Sequence, residues 1–248
     1  GVMHRHSSSF GAPTAIPDLF NLKERKYLDR TGLILQRDIG DVMRYAVLNQ
    51  EMDFTNSYGG FKPDTSPDSI IAKRYTRFSD AQAFALAKYL YSLKSLPNPD
   101  KAPAALIAKG KAIFEQETCV DCHTPPLYSS NKLTPASGFT PSKEDKINYD
   151  IIELSVKTDP DLAMYSRRGT GYYKVPSLIG VWNRSALMHS GYVTSLEEMF
   201  NPARLKDDFI PSGFNPNVEK PFAVKGHTFG LYLDEEDKKA LLAFVRSL

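Results

Sequence analysis

The chain has 248 residues, with 31 Lys and Arg against 29 Asp and Glu and a formal net charge of +2. Its 42% apolar and 11% aromatic content is too high for a disordered chain, and its length suits one large domain or two small ones. Charge this near zero removes the usual electrostatic case for nucleic acid or an anionic membrane, and no apolar run approaches the roughly 20 residues that span a bilayer.

The chain opens Gly1-Val2-Met3-His4-Arg5-His6, with no basic-then-apolar leader, so no signal peptide is visible in it. Ser7, Ser8, Ser9 and Gly11 make His4 and His6 part of a polar terminus rather than a metal clip. Helical signals then dominate. Asp38–Gln50 carries Ile39, Val42, Met43, Ala46 and Val47 at three- and four-residue spacing. Ser79 caps a second helix through Phe84, Leu86, Ala87, Leu90 and Leu93, with Asp80 in its first turn. Pro97-Asn98-Pro99-Asp100 reads as a linker, dividing a helical region at residues 1–96 from residues 97–248. Pro103 opens a helix through Leu106, Gly110, Ile113 and Phe114 that delivers the chain to Cys119. Between Pro125 and Pro176 lie long loops rich in Pro and Gly. Thr194 or Ser195 caps a short helix ending near Phe200, and Asp234 caps Glu235–Leu248, with Glu235, Glu236 and Asp237 at the positive end of the helix dipole. No strand alternation is sustained and no repeat appears. The expected fold class is all-α with long loops.

Two cysteines cannot form a disulfide framework. Cys119 and Cys122 stand three apart, and His123 follows at once. A thioredoxin-like dithiol should follow a strand, whereas a helical segment precedes this pair; zinc would need a second ligand pair, and there is no other cysteine. Cys-Val-Asp-Cys-His therefore reads as the attachment site of one covalent haem c. Each thiol adds across one of two vinyl groups on neighbouring pyrroles, one helical turn spans that distance, and His123 supplies the proximal iron ligand. Thioether formation takes place outside the bacterial cytoplasmic membrane, so the expected location is periplasmic. A haem would fill volume that a core otherwise fills, with Phe139, Tyr165, Tyr172, Tyr173, Leu178, Trp182 and Phe229 as candidates for its lining, most of them through packing alone. Arg167, Arg168, Lys174 and Arg184 are candidates to neutralise the propionates, against a solvated basic loop as the plainer reading for at least half of them.

Thr118–His123, Tyr173–Trp182, Leu187–Gly191, Ser195–Glu198 and the closing Leu233–Leu248 resemble the C-terminal haem domain of the bacterial di-haem cytochrome c peroxidase superfamily. Gly11-Ala12-Pro13-Thr14, with Phe20-Asn21 and Tyr27-Leu28-Asp29, resembles the part of that superfamily's N-terminal domain that follows the first haem. Together these segments cover most of the chain. The resemblance implies a cytochrome c-type domain at 97–248 and a remnant of the N-terminal haem domain at 1–96. That superfamily has two haems and this chain one Cys-x-x-Cys-His, so it looks like the second half of a di-haem protein, or a relative that lost the first haem. In the peroxidases the first haem reduces hydrogen peroxide and the second passes electrons. Gly11 stands where the family places an Asn that helps hold an inter-domain calcium, which tells against calcium here. Tyr27 falls at the position of an inter-haem tryptophan, as an electron relay or as an ordinary packed tyrosine.

Four residues are candidates for the sixth iron ligand. Met188 and His189 lie in one loop, Met199 lies on a helix where methionine usually belongs to the core, and His227 lies in Gly226–Gly230. The Gly-His-x-Phe-Gly segment resembles the branch that includes the rubber-cleaving di-haem oxygenases, whose second haem is bis-histidine, while the peroxidases' methionine position falls near Ala203. His227 is expected first, Met188 second and an open iron third, with His189 as a propionate or ligand-shell contact or a hydrogen-bonded loop residue. A bis-histidine iron implies a lower potential than His/Met and closure to peroxide. The expected function is a c-type cytochrome for electron transfer within a di-haem redox enzyme, partnered by a redox protein or a second haem domain. The alternatives are a peroxidase or oxygenase with its own catalytic iron, and a haem sensor that docks a partner through residues 1–96.

Overall fold

The computed structural model describes residues 14–46, 79–166, 169–213 and 225–248. In chain order, a 3-10 turn at Leu22–Glu24 leads into the antiparallel pair β1 (Tyr27–Leu28) and β2 (Ile34–Leu35), then helix α1, described over 39–46. Next come α2 (Asp80–Ser92), α3 (Ala104–Gln116), the single turn α4 (Cys119–Cys122), β3 (Leu133–Pro135), α5 (Lys143–Asn148), α6 (Asp161–Tyr165) and β4 (Tyr172–Lys174). A 3-10 turn at Val181–Asn183, α7 (Leu196–Met199), a 3-10 turn at Pro202–Leu205 and α8 (Glu235–Arg246) complete the chain.

Local chemistry accounts for the helix starts. The Ser79 hydroxyl accepts from the Gln82 amide while the Gln82 side chain accepts from the Ser79 amide, so two of the amides left open at the start of α2 are satisfied at once. The Ser195 and Asp234 side chains accept from the amides of Glu198 and Asp237 in the same way. Thr118, in the left-handed region at φ 58°, ends α3 and turns the chain into α4.

The all-α expectation does not hold. Helix, 3-10 turns included, accounts for 39% of the described residues, and two small antiparallel sheets contribute to a strand content of 7%. The strands are two or three residues long, too short for a period-two pattern to register in sequence. Leu133 of β3 pairs with Lys174 of β4, far along the chain, so the pairing is set by tertiary structure.

The core sits between α3 and α8. A Cβ at position 110 would lie 1.9 Å from the Ala240 carbonyl oxygen, so only glycine permits the approach. Ile113, Phe114, Leu241, Phe244 and Val245 are buried around this crossing, and the cluster runs on through Val181, Val193, Leu196 and Phe200. The rings of Phe114, Tyr128 and Phe244 meet edge to face, with centroids 5.3–6.0 Å apart.

The segment 14–46 packs on the β3–β4 sheet. The Asn131 side chain accepts from the Lys26 amide at 3.0 Å and donates to the Glu24 carbonyl at 2.9 Å. The Lys174 amide donates to the Arg30 carbonyl, and the Thr170 hydroxyl to the Thr31 carbonyl. A second cluster, around Leu22, Leu28, Val42 and Ala87, joins this segment to α1 and α2. His4, His6, Gly11, Val47, Arg167 and Arg168 lie outside the described residues.

Candidate haem-binding site

The turn α4 borders a cavity of about 220 Å³. Cys119, Cys122 and His123 line one side; apolar groups such as Phe114, Val181, Leu187, Leu196, Phe200 and Val245 make up most of the rest. Met188, His189, Met199 and His227 are also in the wall.

His123 is held from two directions. Its amide donates to the Cys119 carbonyl at 2.8 Å, and its Nδ1 lies 3.0 Å from the Tyr128 carbonyl oxygen. A carbonyl only accepts, so Nδ1 carries the proton and Nε2 keeps a lone pair, the arrangement of a metal-ligating histidine. Burial pushes the ring's pKa down, opposed by the carbonyls of Tyr128 and Pro176, so the imidazole is neutral. Burial also pushes the Cys119 thiol up to about 11, helped by the charge of Glu117, and raises Cys122, with Asp121 adding. A reactive redox dithiol needs a lowered pKa; these thiols have the opposite shift. Among the described residues, no three His, Cys, Asp or Glu side chains converge to hold a metal ion, so the donor set for zinc is not there.

His227, in the same lining, is partly buried, and its buried Nδ1 has no hydrogen-bond partner among the described residues. Its pKa falls to about 3, first through burial and then through the nearby basic groups His123 and Arg204, so the imidazole is neutral. Met188 sits beside it, with backbone φ 63°; a Cβ on Gly226 would lie 2.6 Å from the Met188 Cε, and Gly226 itself has φ +144°. The first two candidates for the sixth ligand thus occupy neighbouring places in one wall.

Arg30, Lys174 and Arg184 line the same cavity. The Lys174 ammonium has the Tyr27 carbonyl at 3.5 Å, and burial, with Arg25 and Arg30 adding, pushes its pKa down to about 7. Burial brings Arg30 to about 10. Arg184 pairs with Asp18 at 3.1 Å, and Arg25 pairs with the same carboxylate. Among the described residues, Arg25, Arg30, Lys174 and Arg184 share this region with the carboxylates of Asp18 and Asp29, so basic groups outnumber acidic ones there. An apolar cavity with two thiols, an unpartnered buried imidazole nitrogen and three basic side chains in its lining fits a haem, whose propionates those side chains would balance.

His189 is buried and stacked on Tyr173 at 4.6 Å; its Nδ1 lies 3.4 Å from the Thr158 hydroxyl and its Nε2 3.8 Å from Asp159. It is a hydrogen-bonded loop residue in the cavity wall. Of the expected lining, Tyr173, Leu178 and Phe229 are in place. Phe139 and Tyr172 pack on each other at 5.0 Å behind it, Tyr165 is 69% exposed, and the Trp182 indole donates to the Leu96 carbonyl. Tyr27 is buried against Leu133 and Tyr172, its hydroxyl accepting from the Asp150 amide, as a packed tyrosine does. Arg30, Phe114, Phe200 and Val245 were not singled out in the sequence as lining; for Phe114 and Val245 the helical apolar period was the available signal, and for Arg30 there was none.

No protein-family model matches the chain, and no curated protein matches its sequence. Among solved structures, it is similar to a MauG-like protein associated with microbial copper homeostasis, with 14% identity and a TM-score of 0.56 over 97% of this chain and 76% of that one. It is also similar to Kuenenia stuttgartiensis hydrazine synthase pressurized with 20 bar xenon, with 15% identity and a TM-score of 0.42 over 69% of this chain; it spans 56% of that chain. At such identities the first likeness is one of fold, and the second is too distant to carry an argument.

Proposed function

We propose that the chain is a c-type cytochrome carrying one covalent haem for electron transfer, working in or beside a di-haem redox enzyme. One observation carries the reading: Cys119, Cys122 and His123 share a single turn that lines an apolar cavity, and the same lining holds His227 with an unpartnered buried nitrogen. In this reading Cys119 and Cys122 would hold the ring by thioethers, His123 would ligate iron through Nε2, and His227 would be the sixth ligand, with Met188 the alternative. The bound haem supplies a one-electron ferric/ferrous couple. The Tyr128 carbonyl fixes the plane and tautomer of His123, the apolar wall excludes water, and Arg30, Lys174 and Arg184 balance the propionates. Ligation by His227 would close the iron to peroxide, which favours electron transfer over catalysis at this site.

Residues 97–248 are then the haem domain, and residues 1–96 the latter part of an N-terminal haem domain without its own motif. The partner is a redox protein or a second haem domain, and the location periplasmic. The resemblance to the di-haem peroxidase superfamily and the shared fold with a MauG-like protein support the reading. A ferric optical spectrum with a pyridine haemochrome count tests it: one low-spin haem per chain is expected, with no turnover of hydrogen peroxide by a reduced donor. High-spin iron that turns over peroxide would establish the peroxidase alternative instead.

A further inference from the structure

The largest fully buried side chain in the described structure is a cation. Arg204 has no exposed surface, and no carboxylate pairs with it among the described residues. Its backbone is fixed in the Pro202–Leu205 turn, where the Asn201 side chain accepts from the Ala203 amide at 2.9 Å. From there the guanidinium reaches two backbone oxygens: Nε donates to the Met199 carbonyl at 2.8 Å, and Nη2 donates to the His227 carbonyl. Nη1 has no partner, and a Cβ on Gly226 would lie 3.6 Å from it.

Burying an unpaired charge is expensive, and a side chain used only for packing would be apolar. The planar fork does what no apolar group can: it ties the His227 backbone to the end of α7, whose Leu196 and Met199 wall the cavity. Gly226 has no side chain to brace that loop, and a Cβ there would lie 2.6 Å from the Met188 Cε.

We propose that Arg204 is the positioning residue for His227: it fixes the imidazole for iron, and its buried charge raises the iron's reduction potential. The inference rests on His227 being the sixth ligand. Ferric iron carries one more positive charge than ferrous, so a buried cation beside its ligand disfavours the ferric state.

The test uses the haem-loaded full chain and the variants Arg204→Gln and Arg204→Lys, with far-UV circular dichroism to confirm folding. In Arg204→Gln the midpoint potential is expected to fall by at least a tenfold change in the ferric/ferrous ratio, about 59 mV for one electron, and the low-spin electron paramagnetic resonance signal to shift. Arg204→Lys keeps the charge and loses the fork, so it should hold the potential within that tenfold limit while the signal still shifts. A Gln variant with wild-type potential and signal overturns the proposal, as does a Lys variant whose potential falls as far. If the Gln variant does not fold, the Lys variant decides: an unshifted signal or a potential outside the tenfold limit overturns it. His227→Ala separates the two levels. If it leaves the wild-type signal intact, the ligand reading fails; if it abolishes the signal while the Arg204 variants match wild type, the Arg204 proposal alone fails.

Discussion

The Nδ1 atom of His123 lies 3.0 Å from the carbonyl oxygen of Tyr128. That contact settles which nitrogen is free, because the carbonyl has no proton to offer. In the reading above, Nε2 of His123 and the His227 ring would hold the iron. The two candidates for the sixth ligand, His227 and Met188, differ in what their loss should do. His227→Ala should convert the ferric spectrum from low-spin to high-spin, or to a methionine-ligated type if Met188 moves in. Met188→Leu should leave the low-spin spectrum unchanged. Ferric optical spectra of the two variants check this, and the reverse pattern would assign Met188 to the iron.

The α3–α8 crossing has no room for a methyl group. In Gly110→Ala the new Cβ meets the Ala240 carbonyl, a backbone group that moves only if α8 moves. Overpacking of this kind costs about 1–3 kcal/mol or more. A thermal or denaturant melt should show that loss, and an unchanged midpoint would mean that the helices separate freely at this point.

Asp41 gives the fold a defined acid limit. Its buried carboxylate accepts from the Arg37 side chain and amide and pairs with Arg44 at 2.7 Å. The Arg37 hydrogen bonds hold the carboxyl well below the usual carboxylate range. The folded value is the depressed one, so the contribution is present above the unfolded value of about 3.9 and is lost as pH falls toward the folded value. Asp41→Asn should therefore lower Tm at pH 7, and the gap from wild type should narrow steadily below about pH 4. Melts across pH 2–7 check this; a constant gap would show that Asp41 acts through packing alone.

Lys174 and Arg30 make a complementary case at the cavity edge. Losing either cation should weaken the balance of the propionates, so Lys174→Met and Arg30→Met should each lower the reduction potential, as removal of a neighbouring positive charge must. Potentiometric titration of the loaded chain checks the direction. A rise in either variant would place the propionates elsewhere.

What the sequence made legible was local. Ser79, Ser195 and Asp234 cap helices because a cap is decided within four residues, and the Cys119–His123 spacing has chemical meaning within five. The strands β3 and β4 escaped because Leu133–Pro135 and Tyr172–Lys174 acquire their pairing from each other across the fold. Arg30 escaped for the same reason: it reaches the cavity only because residues 24–31 dock on that sheet. Arg204 carries no local signal of burial, which depends on how Met199 and His227 come together.

Intact mass spectrometry of the chain, produced where haem is attached to c-type cytochromes, bears most directly on the whole account. The expected result is the polypeptide mass plus one haem, with the added mass lost when Cys119 and Cys122 are both replaced by Ser. A native chain whose mass equals its amino-acid sum would contradict it.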